Sequence, residues 1–404
     1  MMSHLRSGRL PDSAVRQESL RSLNLELVFR HIVTADRPIS RTELANATGL
    51  TRPTITRIVE ELLTGRLITE SAVTHNGRAG RPRVGLTLSK TGPAGLGLDI
   101  RADGLAACVV DLTGTVRQLS FHPAPRSDAP TVLADLASMA RAAVAAVAAE
   151  LTVVNATLAV PGPVRDGVVQ SAPALGWRCV DAAGPLRNRL GLPVTVDNEA
   201  NLAALGEMYA GGPTDTSFVY VSGGLDIGAG IVLEGQLMRG TRGWSGELGH
   251  VSVHPDGEPC PCGSRGCLQT YASLSTILGE ESAPADVTPD AVIINRAETG
   301  APLTLAALER AGTALGIALS SMLNILDVNT VLLGGSFSLL SSWIIDIVKA
   351  EMDRRVLTAS WAPIAIRPAV LGPDAAVIGA ALTSIDEIRQ HPTSWLARQT
   401  AGTA

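Results

Sequence analysis

The sequence predicts an α/β protein in two parts, a winged helix-turn-helix over residues 19–90 and a larger layered domain over residues 93–404. Two helix starts separated by a glycine turn lie between Ser40 and Thr51. From Gly97 onward, apolar strand-like runs alternate with longer Ala/Leu-rich stretches of helical character. Charge divides at the same place: residues 1–90 hold fourteen Lys and Arg against eight Asp and Glu, and residues 91–404 hold nineteen against thirty. A basic segment suits a polyanion, whereas the acidic remainder would be repelled by one.

Residues 1–18 are polar and arginine-bearing, with no signal-peptide core, and are expected to be disordered, as are residues 398–404. Leu25, Val28, Phe29 and Ile32 then recur at helical spacing, predicting a first helix that ends near Thr34. Ser40-Arg-Thr-Glu43 has the form of a capping box and starts a second helix through Ala47. After Gly49 turns the chain, Thr51 caps a third helix with an apolar stripe of Ile55, Ile58, Val59, Leu62 and Leu63. Arg52, Thr54, Thr56 and Arg57 lie off that stripe near the helix start, where a recognition helix reaches base edges and phosphates. Leu67–Glu70 and Val84–Leu88 read as strands around a loop carrying Arg78, Arg81 and Arg83, a slim cationic wing suited to a minor groove. The expected partner is double-stranded operator DNA, bound by a homodimer or higher homo-oligomer. A solvated polar face on a plain three-helix bundle is the alternative.

In the larger part, strands are expected at Gly95–Arg101, Leu105–Asp111, Asn155–Val160, Phe218–Ser222 and Asn329–Gly334, with a long helix over Leu303–Leu326. The longest uncharged stretches, Ala311–Leu326 and Val328–Ile345, are broken by serine, asparagine and glycine, so no membrane partner is expected and the chain is read as cytoplasmic, nucleoid-associated when on DNA. Cys108 sits in an apolar run as a small hydrophobe, and Cys179 has no partner in sequence. The other three cysteines gather with a histidine: His250, Cys260, Cys262 and Cys267 form a loop whose donors and spacing read as a closed structural Zn²⁺ site.

Val160-Pro-Gly-Pro-Val164, Ser171-Ala-Pro-Ala-Leu-Gly-Trp177, Val196-Asp-Asn-Glu-Ala-Asn201, Gly246-Glu-Leu-Gly-His250, the cysteine cluster and Val331-Leu-Leu-Gly-Gly335 together resemble the ROK family of repressors, open reading frames and kinases, in its regulator branch. The resemblance covers nearly the whole chain. It implies an actin-like, two-lobed ATPase fold with a sugar site in the cleft and the zinc loop of residues 250–267 along one wall. It also implies that Asn198, Glu199, Glu247, His250 and Gln269 bind the sugar, His250 serving metal and ligand together and Gln269 standing where sugar-binding members carry glutamate.

The chain departs from the family's kinases in both phosphate loops, at the catalytic base and at a ligand position. Their Asp-x-Gly-Gly-Thr loop stands here as Asp99-Ile-Arg101-Ala102-Asp103, and their Gly-Thr-Gly-Ile-Gly loop as Gly224-Leu225-Asp226-Ile-Gly228. Side chains and carboxylates replace the bare backbone and hydroxyls that approach nucleotide phosphates. Glu199 stands in place of the aspartate base, its carboxylate displaced by one methylene, about an ångström. Ala174 stands where asparagine is frequent. The expectation is a sugar-responsive regulator, a repressor of carbohydrate uptake or metabolism genes, without enzymatic activity. An active ROK sugar kinase with a DNA-binding arm, or a regulator controlled by a protein partner, are the alternatives.

Overall fold

A computed structural model of the chain describes residues 17–71, 84–101, 103–123, 127–210, 216–224, 226–279 and 287–401. Packing separates these into two units. The first holds the described residues up to Pro93 together with Asp111–Thr113 and the segment from Asp386 onward, and the second holds Ala94–Val110 and Gly114–Ile385.

In the first unit, α1 (Gln17–Val33), β1 (Ile39–Ser40), α2 (Arg41–Thr48), α3 (Arg52–Thr64), β2 (Ile68–Ser71) and β3 (Gly85–Leu88) give three helices and a small sheet, an element order compatible with a winged helix-turn-helix. Leu25, Val28, Phe29 and Ile32 of α1 are buried with Leu44 of α2 and with Ile55, Ile58, Val59 and Leu62 of α3. Ser40 starts α2 as predicted: its hydroxyl accepts from Glu43 N at 3.3 Å, while its own N–H donates to Glu43 Oε2 at 2.8 Å. Gly49 closes α2 at φ 72°, where a side chain would be strained, and Thr51 caps α3 through Thr54 N. The wing strands β2 and β3 pair antiparallel, and β1 adds a third strand on β3 that the sequence pattern did not announce. The loop with Arg78, Arg81 and Arg83 lies outside the described residues, as do residues 1–16. The expected disorder is corrected at both ends, since Gln17 and Glu18 already belong to α1 and the last helix continues to Ala401.

The second unit consists of two lobes, each built on a five-stranded sheet. The first lobe carries β4 (Gly92–Ile100), β5 (Gly104–Asp111), β6 (Val116–Pro123), α4 (Ala129–Val147), β7 (Leu151–Val160), β8 (Val164–Arg165), β9 (Val168–Ala172), β10 (Trp177–Asp181), α5 (Ala183–Leu190) and β11 (Val194–Asn198). Its sheet runs β11-β7-β4-β5-β6, with a smaller sheet β10-β9-β8 beside it. Helix α4 is long and apolar enough to cross a membrane by length and composition, yet Leu133, Leu136, Ala137 and Ala140 bury one of its faces in the lobe's core.

The connection α6 (Glu199–Ala210) leads to the second lobe, with β12 (Phe218–Gly223), β13 (Gly228–Leu233), β14 (Gln236–Leu237), α7 (Gln269–Ala272), α8 (Leu274–Leu278), α9 (Pro289–Glu298), α10 (Pro302–Leu326), β15 (Thr330–Gly335), α11 (Ser336–Leu339), α12 (Ser341–Arg355) and β16 (Ala365–Pro368). Its sheet runs β14-β13-β12-β15-β16, with β12, β15 and β16 parallel. This is the two-lobed fold expected, and every strand and the long helix named from the sequence is present.

Helix α13 (Ala375–Gln390) passes from the second unit into the first, and α14 (Pro392–Ala401) ends the described chain. The sequence pattern had assigned both to the larger domain. Instead, Trp395 of α14 is buried with its indole N–H on the carbonyl of Gly65, the residue that ends α3, at 2.6 Å.

The capping box makes the first unit sensitive to acid. Ser40's N–H, the Arg37 guanidinium and the Ser40 hydroxyl hold the Glu43 carboxyl at about 2, below its ordinary 4.5, so the native state favours the carboxylate. That stabilisation is present above the ordinary value and disappears as pH falls from about 4.5 to about 2. Ser40→Ala is expected to cost about 1 kcal/mol at neutral pH. Denaturant titration of this variant at pH 7 and pH 3 should show the gap from wild type narrowing in acid.

Candidate functional site

The carboxyl ends of β4, β7, β11 and β12 come together where α/β proteins place ligands. Register puts Asn198, the last residue of β11, level with Val160, the last of β7. The Asn198 side chain then joins two segments: its Nδ2 donates to Gly162 O at 3.0 Å, and its Oδ1 accepts from Ala200 N at 2.9 Å and Asn201 N at 3.3 Å, capping α6. Glu199 follows as the first residue of α6 and accepts from the Ser222 hydroxyl at the end of β12 at 3.2 Å. Burial, then the nearby Asp99 carboxylate, pushes Glu199 up to about 7, so near neutrality it can both donate and accept a hydrogen bond.

Asp226 and Glu247 belong to the second lobe. Asp226 lies within electrostatic reach of both Glu199 and Glu247, so the structure brings these sequence-predicted carboxylates into one acidic neighbourhood. Burial raises Glu247 above the usual carboxylate range; His250 opposes the shift and Asp226 adds to it. Gln269, by contrast, has both ends of its amide engaged. Its Oε1 accepts from Ile227 N at 2.8 Å and its Nε2 donates to Asp226 Oδ1 at 3.0 Å, so it shapes the 226–228 turn.

Arg101 is the cation that answers this acidity. Its Nε donates to Asp99 Oδ2 at 2.7 Å, a second nitrogen donates to Asp374 Oδ1 at 2.9 Å, and the guanidinium carbon lies 5.5 Å from the centre of the Phe121 ring. Asp99 is only 1% exposed and Arg101's side chain 17%. Nothing in the sequence marked Asp374, whose partner precedes it by 273 positions. Two neighbours in the expected phosphate loops, Ala102 and Leu225, fall outside the described residues, while Asp103 stands exposed.

The four residues of the cysteine cluster converge as the spacing predicts. Antiparallel bridges Ser252–Cys267 and Pro259–Arg265 fold the loop on itself, and Cys260 N donates to Ser264 O at 2.8 Å within its tip. The donor atoms of His250, Cys260, Cys262 and Cys267 all lie within 4.8 Å of one another. A tetrahedral ion with metal–sulfur bonds near 2.3 Å sets its sulfurs about 3.8 Å apart. The Cys262 and Cys267 sulfurs are 3.8 Å apart, as are Cys260 Sγ and His250 Nδ1, so the donors fit such an ion in number, kind and spacing. Burial, with the other two thiols beside it, pushes Cys267 up to about 12, whereas the Ser264 N–H holds Cys262 below its ordinary value. A cation among the three sulfurs would favour their thiolate forms, the forms that ligate a metal.

Elsewhere the sequence readings meet simple outcomes. Cys108 is buried, which pushes its thiol up to about 12, and Cys179 is exposed on β10 with φ 52°. In the first unit, Arg52, Thr56 and Arg57 are exposed on α3 and Thr54 is half-buried. The two threonine hydroxyls also serve the helix, Thr54 with Thr51 at 2.9 Å and Thr56 on Arg52 O at 3.0 Å. Neither Arg52 nor Arg57 has an ion pair among the described residues.

Comparisons with known proteins agree with these features. Residues 95–387 match the model of the ROK family. The xylose repressor of Bacillus subtilis (strain 168) is 28% identical over 374 residues, covering 92% of this chain and 97% of the repressor. The glucokinase of Streptomyces coelicolor is 30% identical over 306 residues, covering 71% of this chain and 96% of the kinase. A crystal structure of a ROK family transcriptional regulator, a homologue of the E. coli MLC protein, matches with a TM-score of 0.76 at 26% identity, over 94% of this chain and 99% of its own. A ROK family glucokinase from Streptomyces griseus, solved with glucose and AMPPNP, reaches 0.61 at 27% identity, over 72% and 98% respectively. The regulator match therefore takes in most of the residues before 95, whereas the glucokinase matches are about as long as the family span alone.

Two outcomes follow from the site chemistry. Elemental analysis of the purified protein should find about one tightly held transition-metal ion per chain, and Cys267→Ser should lose it and lower the unfolding midpoint. For Glu199, the native pKa lies above the unfolded value, so the buried carboxylate destabilises the fold as pH rises from about 4.5 through about 7. Glu199→Gln should accordingly stabilise the protein at pH 8, on the order of 2 kcal/mol, and leave it nearly unchanged at pH 5, as read by denaturant titration.

Proposed function

The chain belongs to the ROK family, and on that premise we propose that it is a sugar-responsive transcriptional regulator, a repressor of carbohydrate genes that keeps the kinase cleft as a sensor and not as an enzyme. Arg52, Thr54, Thr56 and Arg57, with wing residues Arg78, Arg81 and Arg83, contact operator DNA. Asn198, Glu199, Glu247 and His250 hold the sugar, with Gln269 supporting the wall behind them. The metal is Zn²⁺, held by His250, Cys260, Cys262 and Cys267, and its role is to fix the hairpin that presents His250 and Glu247. The protein works in the cytoplasm as a homodimer or higher homo-oligomer, associated with the nucleoid when on DNA.

The observation that carries this reading over the kinase is the Arg101 bridge. An arginine could in principle welcome a phosphate, but this guanidinium is already bonded to Asp99 and Asp374. Drawing it away leaves Asp99, 1% exposed, as an uncompensated buried charge, a cost of about 3–5 kcal/mol. Asp226 adds a carboxylate to the second loop, and Glu199 spends its reach on Ser222. Sugar binding needs none of those phosphate contacts. Likeness to regulators along almost the full chain supports the same choice.

Gating requires that the sugar bind two conformations unequally. Helix α13 is one of the elements shared by both units, with residues to Ile385 in the second and those from Asp386 in the first, so a change in lobe closure has a continuous helix along which to act. Control by a protein partner is the second reading; it is favoured by Gln269, whose amide is engaged by Asp226 and Ile227.

The test is operator binding by the purified metal-loaded protein, using DNA flanking its own gene, with and without a panel of neutral, amino and phosphorylated sugars. Specific binding altered by one sugar is expected, together with no phosphoryl transfer from ATP to any member of the panel. Turnover abolished by Glu199→Gln would establish the kinase instead, and specific binding indifferent to every sugar would transfer control to a protein partner.

A further inference from the structure

The loop 238–246 between β14 and Glu247 carries Arg239, Arg242 and Trp244 and belongs to the second lobe, yet its side chains reach the first. Arg239 pairs with Asp197, whose other carboxylate oxygen accepts from Asn198 N at 2.8 Å. Trp244 donates its indole N–H to Val164 O at 3.1 Å, two residues beyond the Gly162 carbonyl that Asn198 holds. The loop thus ends on the two backbone segments that Asn198 joins. It is also closed on itself: Ser245 N donates to Arg239 O at 3.2 Å and the Ser245 hydroxyl donates to Met238 O. Trp244 itself is half-buried, three residues ahead of Glu247, with the Arg242 guanidinium 5.9 Å from the centre of its ring.

A tryptophan with its N–H fixed on the segment that Asn198 also holds, and with its flat body partly exposed, is equipped to cover the apolar C–H face of a cyclic sugar. Resting on the sugar-sensor reading above, we propose that Trp244 forms an aromatic wall of the effector site, selecting ring-form neutral sugars by stacking, and that Arg239, through Asp197, positions Asn198 for the same ligand. Hydroxyls are read by Asn198, Glu199 and Glu247, and the ring face by the indole. The loop also crosses from one lobe to the other, so a sugar seated against it adds a contact that exists only when the lobes are together.

The test is a titration of wild type, Trp244→Phe and Trp244→Ala with a panel of neutral monosaccharides and their open-chain alditols, read by calorimetry and by tryptophan fluorescence. Wild type should bind one cyclic sugar with a saturable fluorescence change and bind its alditol much more weakly. Trp244→Phe, which keeps a flat face, should bind within about threefold of wild type but lose the fluorescence change. Trp244→Ala should lose about tenfold in affinity for the cyclic sugar and little for the alditol, corresponding to about 1.4 kcal/mol. Equal affinity of wild type and Trp244→Ala, or an undiminished fluorescence change in Trp244→Phe, overturns the proposal while leaving the sensor reading intact. Absence of any sugar binding by wild type overturns the sensor reading and this proposal with it. Thermal unfolding of each variant separates lost contact from lost fold, and Trp244→Phe keeps the proposal falsifiable if Trp244→Ala does not fold.

Discussion

The close approach of α13 to β4 and α6 is the constraint on which the cleft depends. A side chain at Gly97 of β4 would begin 2.1 Å from Val377 O, and one at Gly379 of α13 would begin 1.8 Å from Leu202 O of α6. Backbone therefore meets backbone, and even one methyl group at either position would force the helix outward. Ser384 completes the fit, donating to Leu96 O at 3.1 Å and meeting the Thr157 hydroxyl at 2.8 Å. Just ahead of the helix, the buried Glu207 of α6 accepts from Val370 N and Leu371 N at 2.9 and 2.6 Å. That anchorage sets Asp374 close enough to the end of β4 for one guanidinium to serve both Asp374 and Asp99. The charge arrangement of the cleft thus follows from close packing at Gly97 and Gly379, near the two ends of the Arg101–Asp374 bridge.

Two departures from the kinase pattern turn out to be one physical change. Asp226 in place of a glycine puts a carboxylate in the second loop, and Gln269 in place of a glutamate supplies the amide that donates to it at 3.0 Å. A carboxylate at 269 would face Asp226 as a like charge in a site where Glu199 and Glu247 are already raised by burial and by Asp226. The same amide accepts from Ile227 N, so one side chain satisfies the turn and its charge together.

Legibility in the sequence follows the range of the interaction. The capping box at Ser40, the buried stripe of α3, the strand runs and the cysteine spacing each depend on neighbours within about twenty residues, and each stands where the sequence placed it. What escaped depends on distant partners. Trp395 meets Gly65 across 330 positions, so α14 looked like an extension of the larger domain. Arg101 read as an obstruction to phosphates, but Asp374 showed nothing local to name it as the second half of an ion-pair bridge. Asn198 was expected from family likeness as a ligand residue; the structure adds that most of its amide is occupied in joining β7 to α6.

Binding a sugar and transferring a phosphoryl group draw on different contacts, because only interactions stronger in the transition state than in the ground state accelerate the reaction. The contacts suited to hydroxyls lie on the β11–α6 junction and on the turn that carries Glu247 and His250, both held by backbone hydrogen bonds that no nucleotide is needed to form. The departures in the phosphate loops fall elsewhere, after β4 and β12, where Arg101 is a cation tethered to the chain by Asp99 and Asp374. A tethered cation cannot leave with a product. It offsets the charge of the buried Asp99 and ties the end of β4 to Asp374, just ahead of α13.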